Sequence, residues 1–498
     1  PHWMDRRNHG RCVITSIGDD THGRWASSDR SADHAKQHHQ ADHTGKHNQG
    51  IKLGASGFEI LEYCQSMAER FGFYDKCLFH TTVEQTSWSE EAGQWSVRTD
   101  RGDVMKARFV LLANGILTTP KLARIEGMEE FKGESFHTSR WDYEVDLTGK
   151  RVGIIGTGAT SVQAVPELAK VVKELFVFQR TPSSIDVRDQ RETSASEIEQ
   201  WRNEPGWAKA RRARFAKISA GRTALQGNDD YLSGKVADFK ERKSYAKPLS
   251  HEEMLQKQLD SNFRIMEQLR ARVDAIVEDP VTAEALKPYY PYGCKRPAFH
   301  DEYLPSFNLP HVHLVDTAPR GVSRINADGI VHEGEEYPLD VLIYATGFQW
   351  MATSTFNMVQ GEEGLKLSSK WKDEGTRTFL GIHTRGFPNL FLIAGPQGGG
   401  GSFNFTDAID EHAEYIVWLL KTMKENGKNR VDVLEEPEAE YTEHCRMADL
   451  STRPLRDCVS YYNGHGDAQP GSLAYYGGGQ WHKFRRRAQE TLEPFIFA

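Results

Sequence analysis

The sequence is short of several things. Apolar runs such as FVLLA and LFLIAG fall far below the ~18–20 residues that carry a helix across a bilayer, so no membrane partner is expected. No basic-then-apolar leader opens the chain, which points away from secretion and towards the cytoplasm. The six cysteines (Cys12, Cys64, Cys77, Cys294, Cys445 and Cys458) show neither CxxC nor zinc spacing. Free thiols in a reducing compartment, and no metal site, are the expectation. Positive charge is not in excess. The 62 Lys and Arg face 70 Asp and Glu, for a net charge of −8 and a pI near 6.2, which argues against a nucleic-acid partner. GxSxG, HExxH and GxxxxGK[ST] are also missing, which removes serine-hydrolase, zincin and nucleotide-hydrolysing readings. No repeat of solenoid length is present.

Residues 1–53 are poor in apolar residues as well. The run DDTHGRWASSDRSADHAKQHHQADHTGKHNQG has no helical or strand period. Eight of the 20 histidines lie there, and His34 and His38 are four apart, but no carboxylate or cysteine completes a metal site. Disorder is expected, because such a segment buries too little to offset its chain entropy.

What is present suits a hydrophilic globular protein of two or three domains: 498 residues, 38% hydrophobic and 27% charged. Order is expected from Ser56, where Ser56 and Glu59 form a capping box and Leu61, Cys64, Ala68 and Phe71 share a helix face. Strands follow in CLFHTTVEQTSW and QWSVRTD, then a turn at DRGD and the buried strand ARFVLLANG, ending on Asn114 and Gly115. Residues 186–290 read as a charged helical insertion with Met266, Leu269 and Val273 as its apolar stripe. Strands recur in LDVLIYATGF and GFPNLFLIAGPQGGGGSFNF. A long amphipathic helix then places Ile409, Ile416, Leu420 and Met423 inward and stops at Gly427. The sequon Asn404-Phe405-Thr406 reads as incidental.

The stretch KRVGIIGTGATSVQAVPELAK, residues 150–170, reads as a strand, a glycine turn and a helix. Gly156 and Gly158 leave backbone bare for a pyrophosphate, and the helix start offers amides and partial positive charge. The candidate cofactor residues are therefore Gly156, Thr157, Gly158, Ala159, Thr160, Ser161, Val162 and Gln163. Ser161 stands where a third glycine is usual, and Pro166 is expected to limit or bend the helix. The next strand, ELFVFQRTP, ends in Gln179, Arg180 and Thr181 with no carboxylate. A carboxylate would repel a 2′-phosphate and a guanidinium would pair with it, so this turn reads as an NADPH site.

Just upstream lies FKGESFHTSRWD. It resembles the fingerprint FxGxxxHxxxW-D/P of type I Baeyer–Villiger monooxygenases at Phe131, Gly133, His137, Trp141 and Asp142. The resemblance runs from about residue 54 to the end, through FQRTP, CKRPAFHDEYLPSFNLPHVHLVD, ATGF and GFPNLFLIAGP. The GPQGGGGSFNFTDAIDEH stretch is most similar to the branch that accepts large cyclic or polycyclic ketones. The resemblance implies an α/β fold of two doubly wound, Rossmann-like nucleotide-binding domains, one for FAD and one for NADPH. It also implies a reaction in which reduced flavin and O₂ convert a ketone to an ester or lactone. Arg296 in CKRP matches the family's catalytic arginine, a permanent cation that would stabilise oxygen-borne negative charge. Lys295 resembles a residue that helps Arg180 and Thr181 hold the 2′-phosphate. Tyr461 stands where the family carries a late tryptophan against NADP. His137 and Trp141 are read as a hinge element rather than an acid–base pair.

The family begins with another GxGxxG for FAD and a YPG…CD segment, and neither occurs upstream of residue 54. The expected division is therefore 1–53 atypical and disordered, 54–146 a partial FAD domain and linker, 147–345 the NADPH domain with insertion 186–290, and 346–498 the return of the FAD domain. Two other readings stay open: an N- or S-oxygenating flavin monooxygenase, and an NADPH-binding remnant without turnover.

Overall fold

The computed structural model describes residues 14–15, 57–115, 117, 119–219, 250–349, 354–398, 405–452, 458–460 and 480–498. The disorder expected for 1–53 falls outside these residues apart from Ile14 and Thr15, as do Ser56, Asn404 and Tyr461. Two compact units emerge. One comprises Pro1–Glu84, Arg98–Asp103 and Asp189–Ala237; the other comprises Gln85–Val97, Val104–Arg188 and Asp238–Ala498.

In the first unit the expected early helix spans Gly57–Arg70. Its anticipated apolar face is only half-buried at Leu61 and Ala68, while Cys64 is exposed and Phe71 is 39% exposed. Helix Ala195–Asn203 begins on a Ser194–Glu197 capping box. Trp201 stacks on Trp207 at 4.8 Å, and Arg211 lies over Trp201.

The second unit holds a five-stranded, wholly parallel sheet. Its strands are β1 (Glu134–His137), β2 (Arg151–Ile155), β3 (Glu174–Gln179), β4 (Val312–Asp316) and β5 (Val341–Tyr344), in the order β4-β3-β2-β5-β1. Strand β2 is central, as its unbroken apolar run requires, and Val152 and Ile154 are fully buried. Register is fixed at Asp340. Its carboxylate accepts from the Arg151 amide and from the Arg151 guanidinium, both at 2.8 Å, while its carbonyl accepts from the Glu134 amide. Those bonds hold the Asp340 pKa down to about 2.

Helix α1 (Ala159–Ala169) and helix α2 (His251–Ile276) cover one face of the sheet, with Val162, Val165, Leu168 and Val273 in one cluster with Val152 and Ile154. The stripe Met266, Leu269 and Val273 is buried as its period predicts, so the insertion packs on the α/β core. A three-stranded antiparallel ribbon of Arg324–Asn326, Gly329–His332 and Glu335–Pro338 covers the other face, packing Ile325 and Ile330 on Phe178 and Leu342. Pro166 lies inside α1, which continues three residues past it.

Elsewhere in this unit Val110–Leu112 pairs in parallel with Leu390–Leu392. Helix α3 (Phe405–Glu425) buries Tyr415, Ile416, Leu419 and Met423, and ends at Gly427 with φ +66. There the Lys428 amide reaches back to the Met423 carbonyl. One sequence expectation is corrected. Cys294 and Cys458, 164 residues apart, form a disulfide, whereas Cys64, Cys77 and Cys445 are free. Chain spacing carries no trace of a contact made only by tertiary proximity. Among the described residues no helix is long and apolar enough to cross a membrane, and no His, Cys, Asp and Glu cluster of metal-binding form occurs.

The glycine turn allows a graded stability test. Gly156 has φ +110, and a Cβ there would fall 2.5 Å from the Ala345 carbonyl oxygen, whereas Ser161 contributes one hydrogen bond. Gly156→Ala should cost more than ~2 kcal/mol and Ser161→Ala about 1 kcal/mol in urea unfolding; equal costs would contradict this packing.

Candidate functional site

The turn joins β2 to α1. The buried Ser161 hydroxyl donates to the Gly156 carbonyl at 2.6 Å, so the third glycine is replaced by a side chain that ties the turn to the helix. Gly158 is the N-cap residue, is exposed, makes no side-chain cap, and has nothing within 4 Å of where a Cβ would stand. The start of an eleven-residue helix is thus bare on the side from which an anion approaches. Val162 is buried in the core, while Thr160 and Gln163 are exposed and Ala159 is half-buried. Gln163 turns its amide back to the Ala159 carbonyl.

Arg180 and Thr181 follow β3. The Thr157 hydroxyl donates to the Thr181 carbonyl at 2.7 Å, and the Ser183 hydroxyl donates to the Thr157 carbonyl, so two side-chain hydrogen bonds tie the glycine turn to the RTPSS loop. Tyr290 ties this loop to CKRP. Its hydroxyl donates to the Pro182 carbonyl and accepts from the Ser184 amide, both at 3.0 Å, and burial pushes its pKa up to about 12. Strand Ala298–Phe299 then pairs with Ile185–Asp186. Lys295 lies over the Tyr290 ring, 5.7 Å from its centroid, and donates to the Val459 carbonyl at 3.1 Å.

The result is a cluster of cations. Burial, and then the Arg180 charge, lower the Lys295 pKa. The same two causes act in the same order on Lys121. Sequence reasoning missed Lys121. Its amide donates to the Gly347 carbonyl, and its carbonyl accepts from the Thr346 hydroxyl, so the ATGF turn delivers it to Arg180. Like charges gathered this way repel, and a doubly charged phosphate relieves them. The turn, the bare helix start and the three cations together fit a dinucleotide carrying an extra phosphate.

The fingerprint residues fall on and beside the edge strand β1. His137 accepts from the Ser139 amide through Nδ1, so its Nε2–H donates to the Gly347 carbonyl at 3.1 Å. Burial pushes the imidazole pKa below its ordinary value, against the opposing pull of that carbonyl. Trp141 packs edge-on against Phe136 at 5.1 Å and closes the helical side of the sheet. Phe131 packs on the other side, and a Cβ at Gly133 would meet both its ring and the Asp340 carbonyl. Asp142 is exposed and accepts from the Glu144 amide. Arg296 is exposed and directly follows Lys295.

A second built feature precedes α3. Gln397 accepts from the Thr378 amide and hydroxyl, donates to the Thr376 carbonyl, and receives the Tyr441 hydroxyl on its own carbonyl. His412 Nε2 donates to the Gly398 carbonyl at 2.7 Å, and its Nδ1 accepts from the Ala394 amide. The sequence did signal His412, which lies between Ile409 and Ile416 on the inward face of the helix.

A family model described as flavin-binding monooxygenase-like matches residues 56–194. The chain is 39% identical over 467 residues to a Baeyer–Villiger monooxygenase of Streptomyces coelicolor, covering 89% of this chain and 76% of that protein. The chain belongs to the Baeyer–Villiger monooxygenase family. Two solved structures resemble it closely. The polycyclic ketone monooxygenase of the thermophilic fungus Thermothelomyces thermophila has a TM-score of 0.79 at 32% identity, over 90% of this chain and 78% of that one. OTEMO in complex with FAD and NADP has a TM-score of 0.76 at 28% identity, over 94% and 90%.

Within this Baeyer–Villiger chain the turn at 156–163 fits a dinucleotide pyrophosphate. Among the described residues no second strand, glycine turn and helix cradles the pyrophosphate of FAD, and the strand pair Val110–Leu112 and Leu390–Leu392 carries none.

The buried histidines give a pH test. Burial pushes His383 down to about 3 and His412 down to about 4, from an ordinary 6.5. As pH falls the unfolded chain takes up these protons first, so their contribution is complete above 6.5 and drains away towards 4 and 3. Asp432 and Glu411, raised by burial to about 6 and about 7, act in the opposite sense, so a difference between variants is the clean measurement. Between pH 6 and 4.5, the urea-derived stability of His412→Gln should fall less steeply than that of the parent, by about 1.4 kcal/mol per pH unit. Parallel slopes would show that His412 is not buried neutral.

Proposed function

We propose that this chain is an FAD- and NADPH-dependent monooxygenase that uses O₂ to convert a bulky cyclic or polycyclic ketone into an ester or lactone. The observation that carries the reading is the stitching of CKRP to RTPSS through Tyr290, which sets Lys295 and Arg296 beside the loop that bears Arg180. Likeness to the polycyclic ketone monooxygenase supports the substrate class, and likeness to OTEMO bound to FAD and NADP supports the cofactors. In this reading residues 156–163 carry the NADPH pyrophosphate, and Arg180, Thr181, Lys295 and Lys121 grip the 2′-phosphate. Arg296 is a cation at any working pH, able to stabilise negative charge growing on the ketone oxygen. His137 and the Phe131–Asp142 segment position the crossover at 345–347 and transfer no proton. The division into a partial FAD domain over 54–146, an NADPH domain over 147–345 and an FAD-domain return over 346–498 belongs to the same proposal, as does Tyr461 beside NADP.

A second reading is an NADPH-binding protein without turnover. Purified protein is therefore scored first for yellow colour and uptake of added FAD, then for lactone from a panel of polycyclic ketones. Flavin uptake with lactone formation supports the enzyme. NADPH binding with no flavin uptake supports the alternative.

Two variants test the residue roles. Arg180→Ala should raise the KM for NADPH by about tenfold or more and leave that for NADH within about twofold; equal changes would remove Arg180 from the 2′-phosphate. Arg296→Ala should abolish lactone formation while NADPH oxidation persists. Retained lactone yield would overturn its assignment.

A further inference from the structure

The disulfide between Cys294 and Cys458 joins two segments that the proposed chemistry does not require to be linked. One is the turn PYGCKRP, which carries Lys295 and Arg296. The other is the segment 458–460, whose Val459 carbonyl accepts the Lys295 ammonium at 3.1 Å. The covalent bond and this hydrogen bond sit on adjacent residues of both segments, so the first fixes the partner of the second. Cys294 is almost wholly buried, and its amide closes a turn on the Pro291 carbonyl. Cys458 is only half-buried. Its sulfur is the one that an outside thiol reaches, and the neighbouring Lys295 and Arg296 favour a thiolate at Cys294 as the leaving group.

We propose that Cys294 and Cys458 form a reversible thiol–disulfide switch that sets the affinity of the site for NADPH through Lys295, a proposal that rests on the assignment of Lys295 to the 2′-phosphate. The oxidant is a small disulfide such as oxidised glutathione. The Cys458 thiolate attacks it, forming a mixed disulfide and releasing one glutathione thiolate. The Cys294 thiolate then displaces the second glutathione. Two electrons pass from the cysteine pair to glutathione, and the two thiol protons end on the released thiols. Once closed, the bond holds Val459 where it anchors Lys295 over Tyr290 and beside Arg180, so the ammonium is in place before the phosphate arrives. Reduction leaves Val459 and Lys295 joined by non-covalent contacts alone, so the ammonium is held less firmly before the phosphate arrives.

The test poises the full-length protein in glutathione buffers from fully reduced to fully oxidised. Maleimide mass labelling counts the thiols at each step, and NADPH affinity is measured by titration in parallel. Cys294 and Cys458 should lose reactivity together, with NADPH binding tightening in step by about tenfold, the scale of one hydrogen bond to a charged group. Cys458→Ser and Cys294→Ser should hold the weaker affinity at every poise. A pair that stays labelled in oxidised buffer overturns the switch, as does a pair that closes with no change in affinity while Lys295→Met weakens binding. Lys295→Met separates the two layers. If it binds NADPH like the parent at both poises, the assignment of Lys295 fails even though the disulfide forms. If it binds weakly and no longer responds to redox poise, both stand.

Discussion

Burial of two lysines, Lys121 and Lys295, within reach of the Arg180 charge is the constraint around which this part of the structure is organised. A protein gains nothing by desolvating two ammonium groups beside a guanidinium, and both lysines are made less basic by it. Each cation is held by a different part of the chain. Arg180 follows β3, Lys121 hangs from the ATGF turn, and Lys295 rides on Tyr290 and Val459.

A single carbonyl organises the other half of the arrangement. Gly347 accepts from the Lys121 amide and from His137 Nε2, so the fingerprint histidine, the crossover strand and one of the cations share an anchor. Strand pair Thr119–Pro120 with Phe348–Gln349 continues the same junction. The fingerprint thereby reaches Lys121 through two hydrogen bonds that meet on the Gly347 carbonyl.

Much of this was legible in the sequence because it is local. The strand-turn-helix at 150–170, the arginine after β3 and the insertion stripe follow from residues close together in the chain. What escaped depends on distant segments. Lys121 acquires meaning only through Thr346 and Gly347, and Tyr290 only through Pro182 and Ser184. The pairing of Cys294 with Cys458 is invisible to spacing rules. The early helix was placed correctly, but its face was overestimated at Cys64 and Phe71, since apolar period alone does not state how much partner surface exists. In α3 the aliphatic period was right at Ile416 and Met423, but Ile409 and Leu420 are only half-buried, while the fully buried Leu419, Tyr415 and His412 were passed over.

The tautomer of His137 has a consequence for what its motif can convey. With Nδ1 occupied by an amide proton, Nε2–H committed to a carbonyl, and burial opposing the imidazolium, the ring is a spectator to proton traffic. Its two ring nitrogens pin it between Ser139 and Gly347, and its information is positional rather than acidic.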